Sequence, residues 1–386
     1  MLTNNNIAKA SYTLNDMAVK QSKRTKNKKK LQELPPIASV DLFCGVGGLT
    51  HGLLKSGIQV RAGIDLDVSC KYAYEANNNA EFIGADISKI TGEQIKKYWK
   101  DNEIKVLVGC APCQPFSTHS NKVKDKEQDN KWNLLNEFIR LVKETIPDII
   151  SMENVTNLSN KQIFTDFVFK LKSLGYSVKY QNVYCPDYGI PQKRRRLVLL
   201  ASRFGEIDII SPTHKKEEYK TVRDAIGHLE PIKSGIKCKN DILHFTTKLT
   251  DINLKRIRSS VPNGTWEDWD TSLMLECHKK ESGKTYKSVY GRMSWDEPSP
   301  TITTQFYNYG TGRFGHPEQD RALTIREASI LQSFPAKYKF VERNEDILLT
   351  QIGRHIGNAV PVNLGFVIGK SIHKHLLEIN NEKLHF

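Results

Sequence analysis

The chain has 386 residues, is 39% hydrophobic and 26% charged, and carries a formal net charge of +14. Such proportions describe a globular protein with room for a full core, and no run of about 18 apolar residues is present to cross a membrane. The start lacks an apolar signal region and the seven cysteines are scattered, so we expect a cytoplasmic protein with reduced thiols.

The basic excess favours a polyanionic partner, most simply nucleic acid. Part of it lies in residues 1–35, a polar extension with Lys23-Arg24 and Lys28-Lys29-Lys30 and no apolar period. This reads as a disordered tail that adds phosphate attraction. Ile37 to Phe43 then reads as a strand, and Gly45-Val46-Gly47-Gly48 as a turn into a helix that stops at Gly57. A strand, glycine turn and helix can cradle a nucleotide, because the backbone approaches closely and the helix offers free N–H groups. A second strand, Val60 to Ile64, ends in Asp65, where an acid can accept ribose hydroxyls. Asp86 follows another short apolar run and is placed to meet an adenine amino group. Each aspartate alone is more often a helix cap; acids recurring in strand order favour the cofactor reading.

Val106 to Gly109 is a buried-strand run, followed directly by Cys110-Ala111-Pro112-Cys113-Gln114-Pro115. The two prolines stiffen the turn around Cys113, leaving it either a nucleophile or a buried structural thiol. Thr118 to Lys131 reads as a loop beside it, and Trp132 to Val142 as an amphipathic helix. The next strand, Asp148 to Met152, ends in Glu153-Asn154-Val155, at the same sheet edge as Cys113. A helix from Ile163 to Leu174 precedes strands Val178 to Tyr184 and Leu197 to Ser202, with Gln192-Lys193-Arg194-Arg195-Arg196 between them. That basic knot is surface charge or a contact to anions and base edges. Residues 205–295 are loop-rich, with Trp266, Trp269, Tyr286 and Tyr290 among Lys255, Arg256 and Arg258, a mixture suited to nucleic-acid contact. Order resumes at Pro300 to Thr304. A capping box at Thr324 and Glu327 then starts a helix, and a last apolar helix runs from Leu364 to Leu377. No metal-ligand spacing is present.

Taken in order, these blocks resemble the DNA (cytosine-5) methyltransferases. The resemblance is carried by Asp41-Leu42-Phe43-Cys44-Gly45-Val46-Gly47-Gly48, then Gly109 to Ser117 around Pro112-Cys113-Gln114, then Glu153-Asn154-Val155 and Gln192 to Arg196. It closes with Arg321 to Ala328 and Gly357-Asn358-Ala359-Val360-Pro361. It implies an α/β fold: a Rossmann-like, S-adenosylmethionine-dependent mixed sheet with a smaller, irregular target-recognition domain. The expected division is an extension at 1–35, a catalytic and cofactor domain at 36–204, recognition at 205–349, and a return to the catalytic domain at 350–386.

The resemblance also implies double-stranded DNA as substrate, S-adenosylmethionine as cofactor and S-adenosylhomocysteine as product. The expected working form is a monomer, with a cognate restriction endonuclease acting on the same site. Cys113 would add to C6 of a flipped-out cytosine, Glu153 would hold N3–H and the exocyclic amine, and Arg194 and Arg196 would grip O2. Phe43, Gly45, Val46, Gly47, Gly48, Asp65, Leu66, Asp86, Ile87, Pro112, Leu134, Asn358 and Val360 would line the cofactor. Asp65 replaces a commoner glutamate and Leu66 a commoner aromatic, which weakens that grip; Asp129-Asn130-Lys131 replaces an Asp-x-Arg. An RNA cytosine methyltransferase is the rival of the same kind. A Cys110-x-x-Cys113 oxidoreductase would have no use for Glu153, and a mere DNA-binding module would have no use for the thiol.

Overall fold

The computed structural model describes residues 34–112, 133–342 and 347–383. Cys113, the loop Thr118 to Lys131, Trp132 and the basic cluster at Lys20 to Lys30 lie outside the described residues. Seven strands form one sheet: β1 (Ile37–Leu42), β2 (Gln59–Asp65), β3 (Glu81–Gly84), β4 (Ile104–Gly109), β5 (Ile149–Asn154), β6 (Ser177–Tyr184) and β7 (Arg195–Ser202). Their order is β3-β2-β1-β4-β5-β7-β6. The pairings among β1 to β5 are parallel, whereas β7 runs antiparallel to both β5 and β6. This mixed α/β sheet is the expected fold class. Strand order turns back at β1, which has β2 on one side and β4 on the other. The carboxyl ends of β1 and β4 therefore open the crevice where such sheets hold ligands.

Alternation along each strand sorts the core onto two faces. Val40, Leu42, Leu107, Ile150 and Met152 pack with Phe138 and Leu141 of α4 (Asn133–Thr145), and with Phe164, Phe167 and Leu171 of α5 (Gln162–Ser173). Ile37, Val106, Val108 and Ile149 pack on the other face with Leu49 and Leu53 of α1 (Gly48–Ser56). The C-terminal helix α10 (Val362–Lys383) returns to that same face through Leu364, Ile368 and Ile372. It lies so close that a Cβ at Gly52 would stand 2.2 Å from Val362 O, so α1 accepts no larger residue there. Short helices α2 (Lys71–Glu75) and α3 (Gly92–Lys96) complete the first half.

Beyond β7 the described residues form isolated bridges but no strand, with helices α6 (Val222–Ile226), α7 (Asp251–Ser259), α8 (Ile325–Leu331) and α9 (Leu349–Asn358). An irregular segment must satisfy its backbone by other means, and here arginines do so. Buried Arg292 donates to the carbonyls of Ile257, Ser260, His316 and Gln319. Arg321, fully buried, grips both carboxylate oxygens of Glu327 at 2.8 and 2.7 Å. Burial alone would raise the Glu327 pKa, but the Arg321 guanidinium overcomes it and draws the carboxyl down to about 2.

The capping box expected at Thr324 and Glu327 starts α8. Pro300 to Thr304, by contrast, forms no strand: Ile302 is buried and donates its N–H to Gln192 Oε1 at 3.0 Å. Leu323, Ile325, Phe334, Ile356 and Val362 share a core with Cys44, Val46 and Tyr74, so these residues pack directly against the β1–α1 turn. Leu34–Phe386 is a single unit.

Candidate active site

β4 ends at Gly109, which lies so close to β1 that a Cβ there would sit 2.8 Å from Leu42 O. Cys110 donates its backbone N–H to the same carbonyl at 3.3 Å, and the chain runs on through buried Ala111 to exposed Pro112. One strand over, β5 carries Glu153 and Asn154 at its carboxyl end. Asn154 Nδ2 donates to Ala111 O at 3.0 Å, tying the acid's strand to the segment that leads into Cys113.

Glu153 is only 2% exposed. Its Oε2 accepts from the Cys110 thiol at 2.7 Å. Its Oε1 lies 3.0 Å from Arg196 Nε, close enough for an ion pair but without hydrogen-bond alignment, so that oxygen keeps an open acceptor direction. A buried carboxylate with one oxygen still open is poised for a further donor or proton. Burial, then the charge of Glu153, pushes the Cys110 thiol well above its ordinary pKa; it is a donor, not a nucleophile.

Arg194 and Arg196, paired in expectation, part company. Arg196 keeps its side chain 15% exposed beside Glu153. Arg194 points into the protein, where its guanidinium donates to Ile302 O, Gly357 O and Ala359 O at 3.3, 3.5 and 3.4 Å. Burial, and then repulsion from Arg196, lowers its pKa to about 9, which still leaves it charged at neutral pH. Its place in the fold joins β7 to the C-terminal segment rather than presenting a free fork to a base. Arg194 precedes the first residue of β7, so the alternation that sends neighbours but one in a strand to a common face does not govern this pair.

On the other side of the crevice the β1–α1 turn alternates left-handed residues, with φ of 61° at Phe43, 50° at Gly45 and 85° at Gly47. Gly45 N–H donates to Asp65 Oδ2 and Asp67 N–H to Asp65 Oδ1, both at 2.8 Å. Each Asp65 oxygen thus keeps a lone pair for a diol. A Cβ at Gly45 would meet nothing within 4 Å, so this turn faces open space. Gly48, in contrast, lies under Val360, whose carbonyl oxygen would be 2.3 Å from an added Cβ. Val46 and Ile87 are buried, Leu134 is half-buried, and Leu66 is 71% exposed. Asp86 stands one strand over from Asp65 and its side chain accepts from Ser88 N–H at 3.0 Å, so it is both a cap and an edge acid. Asn358 is exposed at the end of α9. The open turn, the doubly anchored acid and the uncapped N-terminus of α1 fit an adenosyl ligand.

Sequence reasoning missed three supports. In the sequence Asn154 stands only as a neighbour of Glu153, and Cys110 only as half of a Cys-x-x-Cys. The third is Asp67, whose Oδ2 is held by Arg354 at 2.8 Å and His355 at 3.2 Å from α9, so the loop after β2 is pinned by the chain's far end. Cys70 completes a group of donor atoms within 4.8 Å with Asp67 and His355, but the guanidinium of Arg354 already meets the carboxylate there.

The aromatic residues expected to touch nucleic acid are mostly internal. Trp266 and Trp269 are 3% and 5% exposed, and Trp266 stacks on His278 at 4.3 Å. Arg256 lies against Trp269 and Tyr290 and donates to Leu273 O, and Arg258 pairs with Asp320. These side chains build a small core because the segment has no sheet to supply one. Tyr286 and Lys255 remain exposed.

A mixed sheet with a glycine turn after β1 and acids at or just beyond the ends of β2, β3 and β5 is the frame of a nucleotide-binding α/β fold. The chain belongs to the C-5 cytosine-specific DNA methylase family, whose model matches residues 37–374. It is 54% identical over 342 residues to the Type II methylase M.HgiDII of Herpetosiphon aurantiacus, covering 88% of this chain and 96% of that protein. It is 32% identical over 363 residues to the Type II methyltransferase M.Eco47II of Escherichia coli, covering 89% and 80%. In fold it resembles an E. coli prophage protein put forward as a DNA modification methyltransferase, with a TM-score of 0.66 at 22% identity over 88% of this chain and 99% of that one. The protein is therefore a DNA cytosine-5 methyltransferase, and the family implies use of S-adenosylmethionine. Among the described residues, no helix is long and apolar enough to cross a membrane.

Proposed function

We propose that this chain methylates C5 of a cytosine flipped out of a specific duplex DNA sequence, as the modification half of a Type II restriction-modification pair. The observation that carries the reading is Glu153: a buried carboxylate, braced by Arg196 and tied through Asn154 to the segment entering Cys113. The names of the relatives support the paired endonuclease. Work on nucleoid DNA in the bacterial cytoplasm, as a monomer, completes the reading.

C5 of cytosine is a weak nucleophile. In the reading we favour, Cys113 adds its sulfur to C6, and the C5–C6 electron pair becomes available at C5. Glu153 holds the N3 and exocyclic-amine edge, placing a proton at N3 as negative charge moves into the ring. Arg196 faces O2 and supports the Cys113 thiolate; Arg194 acts behind it by fixing residues 302, 357 and 359. S-adenosylmethionine, when bound, supplies an electrophilic methyl group and leaves as S-adenosylhomocysteine. Loss of the C5 proton then re-forms the double bond, the S–C6 bond breaks, and Cys113 is free again. Asp65 takes the ribose hydroxyls, Asp86 the adenine amine, and the turn at Gly45 the rest of the cofactor, with Phe43, Leu66, Ile87, Pro112, Leu134, Asn358 and Val360 around it. Target recognition falls to residues 205–349, within the same unit as the sheet.

Transfer of radiolabelled methyl groups to duplex DNA and to tRNA tests this directly. The proposal expects label on duplex DNA at C5 of cytosine in one sequence context. Label on tRNA alone would move the assignment to RNA.

A further inference from the structure

Cys110 lies at the carboxyl end of β4, half-buried, three positions before Cys113. It packs against the apolar cluster on one face of the sheet, and its thiol also reaches across to β5 and meets Glu153 Oε2 at 2.7 Å. Burial and the neighbouring carboxylate keep that thiol protonated, so the proton lies on sulfur and the contact is a fixed S–H donor. The other carboxylate oxygen faces Arg196. Glu153 is therefore held on both oxygens by groups of different kinds, one neutral and one cationic. Two contacts on two oxygens fix the plane of a carboxylate, whereas one contact leaves it free to turn about its last bond.

We propose that Cys110 is a positioning residue for Glu153: its thiol sets the carboxylate plane so that the open side of Oε1 meets the Watson–Crick edge of the flipped cytosine. This deepens the function proposed above and rests on that reading. Cys110 touches neither substrate nor cofactor, and it forms no bond in the reaction. With the thiol gone, Glu153 would turn toward Arg196 and spend on that ion pair the direction the base requires.

The test uses the full chain with Cys110→Ala, which removes the donor, and Cys110→Ser, which keeps one on a shorter arm. Single-turnover methyl transfer, KM for the DNA duplex, Kd for S-adenosylmethionine and melting temperature are measured for each. We expect Cys110→Ala to slow the single-turnover rate about tenfold, with KM, Kd and melting temperature nearly unchanged. Cys110→Ser should recover most of the lost rate. A wild-type rate in Cys110→Ala would overturn the inference, as would equal losses in both variants, which would make the role one of packing. Should the wild-type protein itself transfer no methyl group to duplex DNA, the proposed function fails instead, so the two failures are distinguishable.

Discussion

Asn154 Nδ2 donates to the carbonyl oxygen of Ala111 at 3.0 Å, while its Oδ1 accepts from Val155 N–H at 2.8 Å. One side chain thus fixes both the end of the acid's strand and the segment that leads into Cys113. Asn154→Ala should cut turnover about tenfold, the worth of one buried hydrogen bond, while cofactor affinity stays near that of the wild type. Steady-state kinetics beside cofactor titration checks this. A loss confined to cofactor binding would assign Asn154 to the wrong side of the crevice.

The two arginines should separate cleanly. Arg194→Ala removes the buried guanidinium from three carbonyls, of which Ala359 O keeps Gln332 Nε2 at 3.5 Å, so it should cost about 2–4 kcal/mol of stability and melt several degrees lower. Arg196→Ala should leave the melting temperature nearly unchanged and reduce turnover by about two orders of magnitude. Thermal melts and single-turnover rates on the same samples decide it. Identical behaviour of the two variants would mean that both guanidinium groups reach the base.

Gly45 and Gly48 give a second contrast. An added Cβ at Gly45 enters open space and costs only the strain of a left-handed φ of 50°. At Gly48 it would stand 2.3 Å from Val360 O. Gly45→Ala should therefore weaken S-adenosylmethionine binding with a stability loss of about 1 kcal/mol. Gly48→Ala should instead lower stability by more, by forcing the C-terminal segment away. Calorimetric titration and melting measure the two effects.

A pH effect follows from Asp41, buried beneath α1 with Thr50 Oγ1 donating to it at 2.7 Å. Burial pushes its pKa up from 3.8 to about 7. Below the lower value both folded and unfolded chains carry the proton and the group is neutral in effect. As pH rises from 3.8 through about 7 only the unfolded chain ionises readily, so stability from this group is lost across that window. Asp41→Asn should raise the melting temperature at about pH 8 and change it little at about pH 4. A gain that is equal at both values would contradict the assignment.

The inner strands of the sheet were legible because apolar runs buried on both faces have few other readings, whereas β6 is a largely exposed edge strand. β1, β2, β4, β5, β6 and β7 each start and stop within two residues of the sequence-based bounds. Helix α9 was not legible, since Gly353 and Gly357 interrupt its apolar stripe and only close packing on Thr303, Thr304 and Tyr307 explains them. Residues 205–295 gave a texture but no structure, because buried Arg292 and a stacked Trp266–His278 pair do there what a hydrophobic period does elsewhere. At the site, the acid and the glycine turn were readable from type and spacing. The division of labour between Arg194 and Arg196 was not, since it depends on carbonyls more than a hundred residues away.

The central claim is a covalent bond between this chain and cytosine C6 during methyl transfer. Incubation with S-adenosylmethionine and a duplex bearing 5-fluorocytosine at the methylated position tests it, because fluorine cannot leave as a proton does. A denaturation-resistant protein–DNA adduct mapped to Cys113 is expected from the wild type and from Cys110→Ser, and none from Cys113→Ser. An adduct that survives Cys113→Ser, or one mapped to Cys110, would contradict that claim.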